Sequence, residues 1–334
     1  MSGFFVPASS FVGINQPINI LKMNRRNFIS KSAMVAGASA LPIGASLAAE
    51  TQHSTPKASA ADKYKLLYAP HFGMFENLAG KDLIDQLKFM ADNGFMALED
   101  NGMLGRPVDV QKKIGETLTK LNMKMGVFVI DGGDNWKISL ATGKKEFLEN
   151  FLKTCRASVE VAKRVNAKWA TVVPGFFERR LPIGIQTANV VDALRRACDI
   201  LEPHGLTMVL EPLSDTPELF LRHSDQTYMI CKAVNSPSCK ILFDMWHMQR
   251  NEGRLTQNMD WCWSEIAYFQ IGDEPGRNEP TTGEVNYKSL FKHIYDKSKA
   301  NNQEFILGME HGNAYKGAEG EKKLIEAYRW SDNF

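Results

Sequence analysis

The stretch CKILFDMWHMQRNEG, residues 239–253, decides the fold. Ile241, Leu242 and Phe243 form a short apolar run of the kind that makes a buried strand, and Asp244 ends it, with His247 three residues later. A carboxylate at the end of a buried strand is costly unless it has a partner, a cation or a chemical task. The same ending recurs along the chain. The run TMVLEP reaches Glu211, AYFQIGD carries Gln270 and then Asp273, and FILGMEHG reaches Glu310, with His311 next.

From Tyr64 onward, short apolar runs alternate with helical stretches. The runs LLYAPHF, FMALED, MGVFVI, KWATVVP, LTMVLEP, KILFDMW, AYFQIGD and FILGMEHG read as strands. Between them, GKDLIDQLKFMADNG, EFLENFLKTCRASVEVAKRVN and ANVVDALRRACDILEPHG carry apolar residues at helical spacing. Asn93-Gly94 and His204-Gly205 are helix stops. Eight strand-then-helix units predict an α/β chain folded as a single (β/α)8 TIM barrel over residues 64–334. An open doubly wound sheet is the alternative. It usually carries a glycine-rich loop after its first strand, and neither GxGxxG nor GxxxxGK[ST] occurs here.

In a barrel, the C-terminal ends of the strands converge on one mouth. Singly, each of Glu211, Asp244, Gln270 and Glu310 would pass as an ordinary polar strand end. Jointly they aim four oxygen donors at a common point, which calls for a cation. The all-oxygen set suits Mg²⁺ or Mn²⁺, with Co²⁺ tolerated. Without Cys or His at those positions, a dedicated Zn²⁺ site is not expected.

The first 49 residues are a different kind of sequence. Arg25-Arg26, then Phe28 and Ile29, precede a weakly apolar Ala/Gly/Ser-rich run that closes on Ala48 and Ala49. This resembles a twin-arginine export signal, with Met23 as the true start, and places the mature protein in the periplasm. Pro42 and the shortness of the run argue against a membrane anchor. Residues 50–63 read as a linker. The leader holds Lys22, Arg25, Arg26 and Lys31 and no acidic residue, so the rest has 36 basic against 38 acidic residues, a formal charge of −2. That balance gives no footprint for nucleic acid. Five scattered cysteines without a CxxC pair are expected as buried small hydrophobes, not as a zinc ribbon or a disulfide framework.

LEPL on the fifth strand, FDMWHMQRNEG on the sixth and FQIGDEPGRNEPTTGEVNY on the seventh and its loop carry a resemblance. They resemble the xylose-isomerase-like barrel superfamily and, within it, the hydroxypyruvate isomerase group. The resemblance covers residues 64–334 in layout and is strongest from Glu211 to Glu310. It implies metal ligation by Glu211, Asp244, Gln270 and Glu310, with the two glutamates doubling as proton donor and acceptor. It places His247 and Arg277 on positions that hold substrate oxygens. Related ketose 3-epimerases usually have His where Gln270 stands, which leans toward isomerisation. Two departures lie in the loop: Asn278, where the family more often has His, and Thr281, where it more often has Gly.

Moving a carbonyl by one carbon needs a proton taken from one carbon and delivered to its neighbour through an enediolate, which a divalent cation stabilises. The expected activity is therefore a metal-dependent isomerase, an intramolecular oxidoreductase acting on a small hydroxy-keto acid or sugar, with hydroxypyruvate as first choice. Ketose 3-epimerisation is the runner-up. An endonuclease-IV-like nuclease would need more histidines and a basic face, and a non-catalytic sugar-binding barrel would not need both glutamates. His71, Glu99 and Asp131 follow early strands and are further candidates for the pocket, His71 and Glu99 as substrate-binding residues. Trp136, Phe176, Phe177 and Trp246 are candidates for its walls. A homo-oligomer is compatible with the sequence.

Overall fold

A computed structural model describes residues 63–334. The expected export signal and most of the linker lie outside the described residues. Eight parallel strands run in chain order: β1 (Leu67–Ala69), β2 (Ala97–Leu98), β3 (Lys124–Met125), β4 (Trp169–Val172), β5 (Thr207–Leu210), β6 (Cys239–Asp244), β7 (Ile266–Gln270) and β8 (Ile306–Gly308). Six pair in the order β1-β8-β7-β6-β5-β4, and β2 pairs with β3. Single parallel bridges, His71 to Glu99 and Val129 to Thr171, join the two sheets and complete the ring. The chain is a (β/α)8 barrel. The helices are α1 (Glu76–Ala79), α2 (Leu83–Asp92), α3 (Val108–Lys120), α4 (Lys145–Val165), α5 (Ile183–Leu201), α6 (Ser224–Val234), α7 (Met245–Asn251), α8 (Leu255–Cys262), α9 (Tyr287–Ala300) and α10 (Gly317–Ser331). None is long and apolar enough to cross a membrane among the described residues.

Helix α4 shows how the sequence makes the outer layer. Phe151, Cys155, Val159 and Ala162 recur at helical spacing and are buried, while lysines and glutamates fill the other face. The helix stops where Asn166 adopts a left-handed conformation, φ 53°. All five cysteines are buried and free, as expected of small hydrophobes.

The barrel interior follows from the two-residue period of a strand. Ala69, Ala97, Val127, Val209, Leu242, Tyr268 and Ile306 form one buried cluster, with Trp169 packed against it. Each of the eight strands or its immediate continuation thus sends one side chain inward. Two residues further toward the C-terminal end, the inward positions are His71, Glu99, Val129, Thr171, Glu211, Asp244, Gln270 and Gly308; Glu310 follows Gly308 by two more. The polar ring seen in the sequence is therefore the next layer above a hydrophobic plug.

The seam between β1 and β8 is reinforced by the chain's own end. Asp332, just past α10, accepts from the Lys65 backbone N–H at 2.6 Å and from the Tyr68 hydroxyl at 2.9 Å. Tyr68 also packs edge-on against Tyr328.

Candidate active site

Asp244 answers the question its strand raised. Its Oδ1 accepts from the backbone N–H groups of Trp246 at 2.7 Å and His247 at 3.3 Å, capping helix α7. Its Oδ2 faces the barrel mouth, where the Arg277 guanidinium donates to it at 3.0 Å. One carboxylate thus both ends the strand and starts the helix that presents His247. Burial pushes the Asp244 carboxyl up to about 6, against the opposing pull of Arg277.

Glu211 lies one residue beyond β5 and is 6% exposed. Burial, then the proximity of Glu310, raise its carboxyl well above the ordinary range. Glu310 lies two residues beyond β8. Its Oε1 accepts from the Asn101 amide at 2.9 Å and its Oε2 from Arg277 at 2.6 Å. Arg277 is held three ways. Its Nε donates to the Glu310 carbonyl at 3.1 Å, its Nη2 bridges Asp244 and Glu310, and its guanidinium lies 4.3 Å from the centre of the Trp246 ring. Arg250 stacks on Trp246 as well, at 4.5 Å. Burial alone would lower the Arg277 pKa, but Glu310, Asp244 and Glu211 around it reverse that.

His247 is 1% exposed, and its Nε2 lies 3.6 Å from carboxylate oxygens of both Glu211 and Asp244. The Ser214 backbone N–H donates to its Nδ1 at 3.0 Å. A backbone amide can only donate, so Nδ1 is the acceptor and the neutral ring carries its proton on Nε2, facing the mouth. One ligand atom each from Glu211, Asp244, His247 and Glu310 lies within 4.8 Å of the others. With its Nε2 protonated, His247 enters this group as a hydrogen-bond donor and the carboxylates remain the ligand oxygens. Gln270 sits opposite Asp244 in the β6–β7 register. Its Oε1 is buried without a hydrogen-bond partner.

The structure therefore brings together Glu211, Asp244, His247, Arg277 and Glu310, with Gln270 beside them. Glu99, expected at the pocket wall, is 2% exposed, and both its oxygens are bound by Tyr268 and Gln270. His71 has both ring nitrogens against backbone carbonyls, those of Phe72 at 2.9 Å and His311 at 3.1 Å. Asp131 is exposed and binds the Gly133 N–H. Asp273 binds the Gly283 and Val285 N–H groups and so pins the loop that carries Arg277. Asn101 and Ser214 were not foreseen. A short loop residue that orients a ligand leaves no pattern in one sequence.

Glu211, Asp244 and Glu310, with Asp215 3.9 Å from the His247 Nε2, face one guanidinium at this mouth, so a divalent cation would offset their excess of negative charge. The orphaned Gln270 oxygen offers a fourth oxygen donor. The residues thus fit a hard divalent ion.

The chain is 33% identical over 152 residues to hydroxypyruvate isomerase of Escherichia coli (strain K12), covering 44% of this chain and 57% of that protein. It is 25% identical over 217 residues to 2-oxo-tetronate isomerase of Pectobacterium atrosepticum, covering 63% of this chain and 80% of that protein. The chain thus spans a little over half the length of the first relative. A crystal structure of AP endonuclease, family 2, from Brucella melitensis superposes with a TM-score of 0.65 at 22% identity, covering 78% of this chain and 98% of that one, and bears on the fold alone. A family model described as xylose isomerase-like TIM barrel matches residues 87–334. With its ring of strands and its polar layer at their C-terminal ends, the chain belongs to the xylose isomerase-like TIM barrel family.

Proposed function

We propose that this protein is a divalent-metal-dependent isomerase of small hydroxy-keto acids, with hydroxypyruvate, converted to 2-hydroxy-3-oxopropanoate, as its substrate. The observation that carries the reading is the convergence of Glu211, Asp244 and Glu310 around one point, with Gln270 alongside and a single guanidinium against three carboxylates. The names of the two relatives support the same class of reaction. Glu211, Asp244, Gln270 and Glu310 would hold the ion, as Mg²⁺, Mn²⁺ or Co²⁺. When bound, it supplies Lewis-acid stabilisation for negative charge that builds on substrate oxygens.

The chain's own residues do the rest. Glu211 and Glu310 approach the mouth from β5 and β8, on opposite sides of Asp244. One takes the proton from the hydroxymethyl carbon, leaving an enediolate, and the other delivers a proton to the former carbonyl carbon. General acid–base steps of this kind contribute about 10²–10⁴-fold each. The His247 Nε2–H is placed to donate to a substrate oxygen. Arg277, a planar fork at the mouth, suits the carboxylate of a 2-oxo acid once substrate competes for it.

The test is direct. The mature protein, stripped with chelator and reloaded with Mg²⁺, Mn²⁺ or Co²⁺, is assayed against hydroxypyruvate, 2-oxo-tetronate and a panel of ketoses. Activity on the 2-oxo acids that vanishes with chelator and returns with metal is expected. Full activity in excess chelator, with no metal by elemental analysis, would sink the reading. Turnover confined to C3 of ketoses would replace isomerisation by epimerisation. We further propose residues 1–49 as a cleaved twin-arginine export signal and a periplasmic mature protein, on the strength of Arg25-Arg26 and the run to Ala49.

A further inference from the structure

Behind the candidate metal ligands lies a buried hydrogen-bonded chain that the proposed chemistry does not use. The Tyr268 hydroxyl donates to Glu99 Oε2 at 2.9 Å, and the Gln270 Nε2 donates to Glu99 Oε1 at 2.9 Å. All three side chains are at most 2% exposed. The barrel gives this chain room at two glycines. A Cβ on Gly308 would lie 1.8 Å from Glu99 Oε2, and one on Gly126 would lie 2.4 Å from the Tyr268 hydroxyl. We infer that Glu99 is a positioning residue that fixes which end of the Gln270 amide faces the metal site.

An amide can present either its oxygen or its NH₂ group, and the two have the same shape. Only the oxygen can bind a cation. The Glu99 oxygen that faces Gln270 accepts from its NH₂ group, so that group turns back toward β2 and the amide oxygen is left on the other side. That oxygen is the one left buried without a partner. Tyr268 completes the arrangement: its hydroxyl donates to Glu99 Oε2, so both Glu99 oxygens act as acceptors.

The substitution Glu99→Gln turns this logic around. The new amide keeps the shape but has one acceptor and one donor end. The Tyr268 hydroxyl still needs an acceptor, which draws the oxygen of residue 99 to it. The NH₂ group of residue 99 then faces Gln270, whose own oxygen swings inward and whose NH₂ group turns to the metal site. A ligand becomes a repelling donor without any change of volume.

This inference rests on the metal-binding reading above, and its experiment separates the two. Binding of Mn²⁺ alone to the chelator-stripped full chain is measured by calorimetry for the wild type, Glu99→Gln, Gln270→Ala and the double variant. Partners that orient metal ligands typically contribute about 10–100-fold in affinity. Glu99→Gln should therefore weaken Mn²⁺ by at least about 10-fold in the wild-type background. In the Gln270→Ala background the same substitution should cost much less, only what the lost charge removes, because no amide remains to be oriented. A purely structural role for Glu99 would lower affinity equally in both backgrounds and would overturn the inference, as would a Glu99→Gln variant that binds like the wild type. A wild type that takes up no Mn²⁺ would instead remove the proposed function and this inference with it.

Discussion

Gly308→Ala drives a methyl group into the buried Glu99 carboxylate behind the site. Gly308 pairs with Gln270 across β7 and β8 and points inward. An added Cβ would stand 1.8 Å from Glu99 Oε2, 2.7 Å from its Cδ and 3.1 Å from Gln270 Cγ. Glu99 would have to retreat by more than an ångström, and both of its hydrogen bonds hold it where it is. Overpacking of this kind costs about 1–3 kcal/mol. A buried partner left unsatisfied costs about 1–3 kcal/mol more. Together they give about 2–6 kcal/mol, because relieving the clash is what breaks the bonds. For a domain of this size that corresponds to a melting point lower by about 4–24 °C. Thermal unfolding by circular dichroism in chelator measures it without interference from metal. Gly184→Ala is the control. It lies exposed in the first turn of α5 with nothing within 4 Å of the added carbon, so it should be neutral or slightly stabilising. If Gly308→Ala melts within about 2 °C of the wild type, the tight seating of Glu99 against β8 is wrong.

Glu211→Gln and Glu310→Gln keep an oxygen donor but lose the basic carboxylate, so turnover should fall by about 10²-fold or more while part of the metal affinity survives. In D₂O the wild type should place deuterium on the product carbon that gains the proton; product free of carbon-bound deuterium would point to hydride shift instead. His311 supplies a pH dependence. Burial holds its folded pKa near 3, well under the ordinary value of 6.5, so below pH 6.5 the unfolded chain binds a proton that the folded one does not. Stability should therefore drop as pH falls from about 6.5 toward 3, by up to about 1.4 kcal/mol per pH unit from this residue, and urea titrations of His311→Gln should show a shallower slope. Export predicts a mature N-terminus near Ala49 or Glu50 by Edman sequencing of periplasmic protein, and retention of uncleaved chain when Arg25 and Arg26 are both changed to Lys.

Much of this was legible in the sequence because a strand has a period of two and a helix one of 3.6. The inward row of Val209 then Glu211, Leu242 then Asp244, and Tyr268 then Gln270 is written as apolar-then-polar at fixed spacing. What the period does not carry is the partner. Glu99 reads like any other strand-end carboxylate, yet Gly308 and Gly126, far away in sequence, let it sink beneath the mouth. The early strands also read longer than they are. FMALED and MGVFVI continue their apolar pattern inward and outward, while regular pairing covers only Ala97–Leu98 and Lys124–Met125. Beyond those residues the ring is carried by single bridges, and backbone pairing leaves no trace in residue type. Arg277 was legible from the resemblance as a substrate-holding residue, but not as the partner of Asp244 and Glu310. Its bridge between Asp244 and Glu310 depends on Asp273 folding the loop back, a local knot of backbone hydrogen bonds.

The meeting of the first and last strands also sets a clock on the ribosome. β1 pairs with β8, and Asp332 then binds Lys65 and Tyr68. Until β8 has been synthesised, β1 has a bare edge able to pair with any other extended chain. About 240 residues separate the two strands, so at about 5–20 residues per second that edge stays open for ten seconds or more. The same closure that shields the finished ring obliges the nascent chain to be chaperoned, or kept collapsed, until β8 emerges.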